Sequence, residues 1–196
     1  MFVPADRLHM YEVELKVRAD HDRVRERLDA LDAERVESLR QADTYYDAPH
    51  RDFAATDEAV RVRKETRDGD RETRITYKGP KIEAESKTRE ELETTVGDGE
   101  TARELFESLG FEPVATVRKD REYFTVSGFT VTLDAVEDVG EFVEVETDVE
   151  TTDEVESARE AAVELLSDLG LDLDGQLRIS YLELLLADDT PENTHE

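Results

Sequence analysis

The chain has 196 residues, 52 of them acidic and 25 basic, for a formal net charge of -27. That length supports one domain with a real core, and acids spread along a chain of regular apolar periodicity exclude disorder or an acidic tail. They leave an acidic solvent-facing surface of the kind that keeps proteins soluble in high salt, which argues against general binding to nucleic acid or anionic membrane.

Met1–Met10 lacks an apolar signal region, and no apolar run is long enough to span a bilayer, so a cytoplasmic location is expected. Met10 is a second candidate start. Cysteine is absent, hence there is no disulfide framework and no thiolate site. Lys occupies only positions 16, 64, 78, 81, 87 and 119, the remaining basic residues being Arg. With the acidity, this points to a halophilic source.

Tyr11–Arg18 alternates without a break: Tyr11, Val13, Leu15 and Val17 against Glu12, Glu14, Lys16 and Arg18. Period two predicts a strand with one apolar and one charged face. Asp20–Glu34 follows as an amphipathic helix on Val24, Leu28 and Leu31, with Asp20 or Asp22 as cap. Val36–Tyr46 is extended and Ala48-Pro49-His50 breaks it. Ala59–Lys64 alternates again, with Arg61 and Arg63 on one face. Asp68-Gly69 predicts a hairpin turn. Arg71–Lys78 returns with Arg74, Thr76 and Lys78 on one face, and Gly79-Pro80 is expected to end it. Glu83–Val96 reads as a strand carrying Lys87, Arg89, Glu91 and Glu93.

Gly99–Leu109 predicts a helix with Gly110 beyond its end. Val114–Arg121 and Glu122–Val126 are extended and place Lys119 and Arg121 on one face. Phe129–Val136 sets Thr130, Thr132 and Asp134 opposite Val131 and Leu133. In Glu141–Val149, Phe142, Glu144 and Glu146 alternate with Val143 and Val145. Asp153–Leu169 and Arg178–Leu186 are expected to be helical. Residues 10–187 form one domain on this reading, and 188–196 a polar tail. Glu12-Val13-Glu14 and Glu144-Val145-Glu146 form a short internal echo, each before an amphipathic helix.

The basic residues on strands fall at alternate positions: Lys16, Arg18, Arg61, Arg63, Arg74, Lys78, Lys87, Arg89, Lys119 and Arg121. Singly, each is an ordinary solvated residue. Together they make sense if the charged faces turn inward around a highly anionic ligand, since a closed sheet has an inside. Glu12, Glu14, Asp134, Glu144 and Glu146 add hard oxygen donors, and Mg²⁺ is usually held by one or two carboxylates plus substrate phosphates. Cations for phosphate beside carboxylates for a metal describe a polyphosphate site. No Gly-rich phosphate loop, nucleophile elbow or zinc motif is present, and the four His show no ligand spacing. Tyr45 and Tyr46 read as packing residues. Lys119 and Arg121 read as cations whose removal leaves the fold intact.

Glu12-x-Glu14-x-Lys16 resembles the opening motif of the CYTH superfamily of triphosphate tunnel enzymes. The similarity continues through Asp43–Asp47, Arg61/Arg63, Lys78-Gly79-Pro80, Lys119-x-Arg121, Asp134, Gly140-x-Phe142-x-Glu144 and Ser180-Tyr181. Tyr11–Lys16 and Leu109–Glu144 look most like class IV adenylate cyclases. The resemblance implies an α+β fold, a closed antiparallel eight-stranded barrel with flanking helices, whose lumen binds a triphosphate with Mg²⁺ or Mn²⁺. It implies metal ligation by Glu14 and Glu144, with Asp134 as a further carboxylate. It implies phosphate binding by Lys16, Arg63, Lys78, Lys119 and Arg121, and a wider set of tunnel charges in Glu12, Lys87, Arg89 and Glu146. One departure is the His-Phe pair that bacterial cyclases of this class carry before the opening motif, where this chain reads Met1-Phe2-Val3-Pro4.

The expectation is an enzyme that converts ATP to cyclic AMP and pyrophosphate, with Glu14, Glu144, Lys119 and Arg121 carrying the chemistry. Hydrolysis of tripolyphosphate, thiamine triphosphate or a nucleoside triphosphate is the alternative, and a non-catalytic polyphosphate or nucleotide binder the second. The expected partner is a triphosphate-bearing small molecule, not nucleic acid or membrane; a homodimer is left open.

Overall fold

A computed structural model of the chain describes residues 11–81 and 89–188. Met10, Lys87 and 189–196 of the expected tail lie outside them. The elements run β1 (Tyr11–Arg18), α1 (His21–Ala30), β2 (Glu34–Asp47), β3 (Ala59–Arg67), β4 (Asp70–Lys81), β5 (Arg89–Val96), α2 (Gly99–Ser108), β6 (Glu112–Val126), β7 (Phe129–Val136), β8 (Gly140–Val149), α3 (Thr152–Asp168), a 3-10 turn (Leu173–Gly175) and α4 (Tyr181–Asp188). The strands form one eight-stranded antiparallel sheet in the order β1-β8-β7-β6-β2-β3-β4-β5. No helix among the described residues is long and apolar enough to cross a membrane.

The expected eight antiparallel strands are present in one sheet, but its closure into a barrel is not shown. Among the described residues no ladder joins β1 to β5. Each of the two end strands has its own local setting. The Leu177 N–H donates to the Lys16 carbonyl at 2.8 Å, occupying part of the outer edge of β1. β5 has no apolar face to bury: Leu92 is 57% exposed, and its neighbours from Glu90 to Thr95 are exposed as well.

Other boundaries shift for local reasons. α1 stops at Ala30, because Leu31 leaves helical geometry and Asp32 takes φ of 53°. Asp20 is the cap, its side chain accepting from the N–H groups of Asp22 and Arg23. β4 continues past Gly79-Pro80 to Lys81, with its register shifted between Lys78 and Lys81; proline without an N–H is tolerated at such an irregularity. Asp68-Gly69 and Ser127-Gly128 turn their hairpins with both residues at positive φ, the geometry that matches strand twist.

By internal contacts the chain divides into two compact units. The first gathers the described residues of Met1–Ser38, Arg121–Ala135 and Gly140–Ile179. Its core joins Leu15 and Val17 of β1, Val24 and Leu28 of α1, Val131 and Leu133 of β7, Val143 and Val145 of β8, and Leu165 and Leu166 of α3. Burying each such side chain contributes roughly 1.5–3 kcal/mol. Because side chains alternate along a strand, filling this face forces Glu12, Glu14, Lys16, Thr132, Asp134, Glu144 and Glu146 onto the other.

The second unit gathers the described residues of Leu39–Asp120, Val136–Val139 and Ser180–Glu196. Tyr46 and Phe106 pack tilted, and Phe106 and Phe111 edge to face, with centroids 5.3 and 5.1 Å apart. Val60 and Val62 are buried, which turns Arg61 and Arg63 to the opposite face.

Candidate functional site

Two charged groups stand on these polar faces, one in each unit. In the first, β1 and β8 pair so that Lys16 faces Glu144, Glu14 faces Glu146 and Glu12 faces Asp148. One opposite pair therefore sits beside two like-charged ones, and like charges directly opposite are destabilising. The two acidic strands of the internal echo are thus partners in a single ladder.

Lys16 and Glu144 are only 7% and 5% exposed, and charges so buried must be paired. The Lys16 ammonium lies 2.9 Å from Glu144 Oε1 and 3.9 Å from Glu14 Oε1. Arg121 NH2 donates to Glu144 Oε2 at 2.8 Å, and its Nε to Asp134 Oδ1 at 2.6 Å. A second bond from NH2 to Asp134 Oδ2 completes a two-pronged grip on that fully buried carboxylate. NH1 donates to the Tyr123 hydroxyl at 3.2 Å. Burial alone would lower the pKa of Arg121, but the Asp134 hydrogen bond and the charges of Asp134 and Glu144 hold it well above the usual arginine value.

Glu146 is the strained member. Burial first, then the negative charges of Glu12, Glu144 and Glu14, push its carboxyl up to about 7 against the opposing pull of Arg121. Beside it opens a cavity of about 220 Å³ lined by Glu12, Gly128, Thr130, Glu146, Thr147 and Asp148. The Thr132 hydroxyl, between Thr130 and Asp134 on the same strand face, is buried without a hydrogen-bond partner.

The second group centres on Asp43 of β2, 3% exposed and directly opposite Arg63 of β3. Arg63 Nε donates to Oδ1 and NH2 to Oδ2, both at 2.7 Å. Arg61 NH1 reaches Oδ2 at 3.3 Å, while its Nε is buried without a hydrogen-bond partner. Burial raises the Asp43 pKa, but the Arg63 hydrogen bond and the charges of Arg61, Arg63 and Lys119 overcome that and hold it below the usual carboxylate value. Lys119 is 8% exposed, its ammonium 5.0 Å from the Tyr181 ring centroid. Burial and the Asp43 charge raise the pKa of Tyr45. Gln41 donates to Glu65 Oε2 at 2.9 Å, both residues buried.

The structure thus brings Glu14, Lys16, Arg121, Asp134 and Glu144 into one network, with Glu12 and Glu146 acting on it electrostatically. It gathers Arg61, Arg63 and Lys119 around one carboxylate. Lys78 stands apart, with its ammonium 2.5 Å from Glu91 Oε1 on a more open surface. Arg89 begins β5, and Lys87 lies outside the described residues. The strand alternation that marked Arg61 and Arg63 also runs through Gln41, Asp43 and Tyr45, and applied there it identifies Asp43. No sequence signal marks the orphaned hydroxyl of Thr132. His21 is buried, a ring nitrogen 3.0 Å from the Phe142 carbonyl, a packing position as its lack of ligand spacing suggests.

The carboxylates of the first group suit a hard divalent cation by donor type and by the crowding at Glu146. As they stand, no three of them are gathered closely enough among the described residues to hold one, because Lys16 and Arg121 occupy Glu144 and Asp134.

Residues 10–181 match the CYTH domain, and the chain belongs to that family. A Methanocaldococcus jannaschii protein named "Putative adenylate cyclase MJ0240" is 40% identical over 176 residues, 89% of this chain and 98% of the relative. "Adenylate cyclase CyaB" of Aeromonas hydrophila is 31% identical over 137 residues, 69% of this chain and 68% of that one. Among solved structures, the PH1819 protein of Pyrococcus horikoshii OT3 superposes with a TM-score of 0.78 at 43% identity, over 91% of this chain and 99% of that one.

Proposed function

We propose that residues 10–187 act as one cytoplasmic enzyme domain that binds ATP with Mg²⁺ or Mn²⁺ and converts it to cyclic AMP and pyrophosphate. The observation that carries this reading is the Asp43 group: three cations crowd one buried carboxylate, and one of them keeps a buried N–H without a partner. Buried donors are normally satisfied, so that N–H has the properties of a ligand contact. Arg61, Arg63 and Lys119 bind phosphoryl oxygens, and fixed cations stabilise the charge that gathers on the leaving pyrophosphate. Lys16, Arg121, Lys78, Lys87 and Arg89 are the further cations proposed for phosphate. Glu12, Glu14, Asp134, Glu144 and Glu146 are the residues proposed to hold the metal, which when bound supplies Lewis acidity at the phosphates and lowers the pKa of a coordinated hydroxyl.

In the proposed reaction the ribose 3′-oxygen bonds to the α-phosphorus as the α–β bridging bond breaks. The 3′-hydroxyl proton leaves to solvent, and the electron pair of the broken bond goes to pyrophosphate. The relatives named as adenylate cyclases support this choice of acceptor.

Water in place of the 3′-hydroxyl gives a triphosphatase. The cavity of about 220 Å³ among Glu12, Thr130 and Glu146 favours that second reading, since it is polar and roomy enough for several waters. One assay separates them: ATP, tripolyphosphate and thiamine triphosphate offered in parallel, with Mn²⁺ and high KCl. Cyclic AMP supports the cyclase, orthophosphate the hydrolase. Binding without either product leaves a nucleotide- or polyphosphate-binding module.

A further inference from the structure

We infer that Asp43 is a positioning residue of the phosphate site: it fixes Arg63 and Arg61 so that Arg61 keeps its buried Nε for a phosphoryl oxygen. The inference rests on the phosphate-binding role proposed above for Arg61 and Arg63. A carboxylate among cations that must bind an anion is at first sight a competitor, and by charge alone the site would do better without it. Its geometry argues otherwise. Arg63 spends Nε and NH2 on the two oxygens of Asp43 at 2.7 Å, a fork that fixes the guanidinium plane. The two residues are directly opposed in the ladder, so the fork forms with little reach.

Arg61 stands opposite Tyr45, one alternate position along, and touches Asp43 only through NH1 at 3.3 Å. Its side chain is 12% exposed and its Nε has no hydrogen-bond partner. Arg63 is therefore held by both prongs, while Arg61 meets Asp43 through one nitrogen and Tyr45 besides, and keeps its Nε without a hydrogen-bond partner. Asp43 itself is too buried to be spared by solvent, and the cations around it keep it ionised. A planar fork anchored this way arrives at the ligand already ordered, which saves the cost of immobilising two long side chains on binding.

The two roles predict opposite signs, and inorganic tripolyphosphate titrated into the metal-free protein by calorimetry reads the difference. If Asp43 positions, Asp43→Asn weakens tripolyphosphate binding roughly tenfold despite the gain of positive charge, as loss of a charged hydrogen-bond network does. Arg61→Lys keeps the charge without Nε and weakens binding to a similar degree. The double variant Asp43→Asn/Arg61→Lys is then hardly worse than either single, because the two act as one unit. Asp120→Asn, in an exposed pair with Arg40, leaves the affinity unchanged. Unchanged or tighter binding by Asp43→Asn, or fully additive losses in the double variant, overturns the positioning role. Should Asp43→Asn fail to fold, Asp43→Glu carries the test: charge is kept while the carboxylate moves by one methylene. Severalfold weaker binding then supports the role, and unchanged binding overturns it. Wild-type protein that binds no tripolyphosphate refutes the phosphate-site reading itself, and the inference with it.

Discussion

Glu146→Gln is expected to stabilise the metal-free protein, and to do so mainly at neutral and higher pH. Glu146 faces Glu14 across the β1–β8 ladder, and its carboxyl is carried from 4.5 to about 7 by burial and by Glu12, Glu144 and Glu14. The folded chain holds this proton more tightly than the unfolded one. Stability from this group is therefore greatest at low pH, falls as pH rises from about 4.5 to about 7, and is level above. The displacement corresponds to on the order of 3 kcal/mol at pH 8. Screening at a side chain still partly open to solvent reduces that to about 1–2 kcal/mol. The amide keeps the shape and carries no charge, so the variant recovers that amount at pH 8 and little of it at pH 4.5. In a chain of this length the gain is a melting temperature roughly 3–6 °C higher at pH 8. Thermal melts with a chelator at both pH values measure it. Added Mg²⁺ at pH 8 should then stabilise the wild type more than the variant. Equal melting temperatures at pH 8, or a less stable variant there, would refute the account of crowded carboxylates.

Arg121→Met should cost about 3–5 kcal/mol, because it removes the two-pronged partner of the buried Asp134 carboxylate and leaves Glu144 with Lys16 in place of two cations; urea unfolding checks it, and a negligible loss would show that the pairing is not structural. Lys119→Ala should weaken tripolyphosphate binding roughly tenfold in calorimetry, with unchanged affinity counting against a phosphate role. Glu14→Gln and Glu144→Gln should each raise the metal concentration needed for activity, and the double variant should be hardly worse than either single. Multiplicative losses with unchanged metal titrations would exclude a shared ion.

Alternation carried most of the fold. All eight strands have a period-two or extended signature, and the helices follow from apolar spacing with Asp20 as a cap, to which the structure adds Asp98. The closed barrel was expected from the family resemblance alone, since nothing in a run of alternating residues reports which strand edges meet. Charge and spacing identify Arg121 as a cation on a strand face, but not that the Asp134 carboxylate it grips is wholly buried. Asp43 went unassigned because an acid among arginines adds no charge of the expected sign; only the fork geometry shows what it does.

Among the described residues β5 is the last strand of the sheet in hydrogen-bond order, and it exposes Glu90 on one face and Glu91 and Glu93 on the other, with no buried apolar residue between Glu90 and Thr95. An open strand edge is a template for another chain. Here a second copy laid alongside would set acid against acid, so repulsion guards the edge. That guard has a range of only about 10 Å at 0.1 M salt and about 3 Å at 1 M. Acid, which neutralises those glutamates outright, is thus the condition under which this edge becomes adhesive to its own kind.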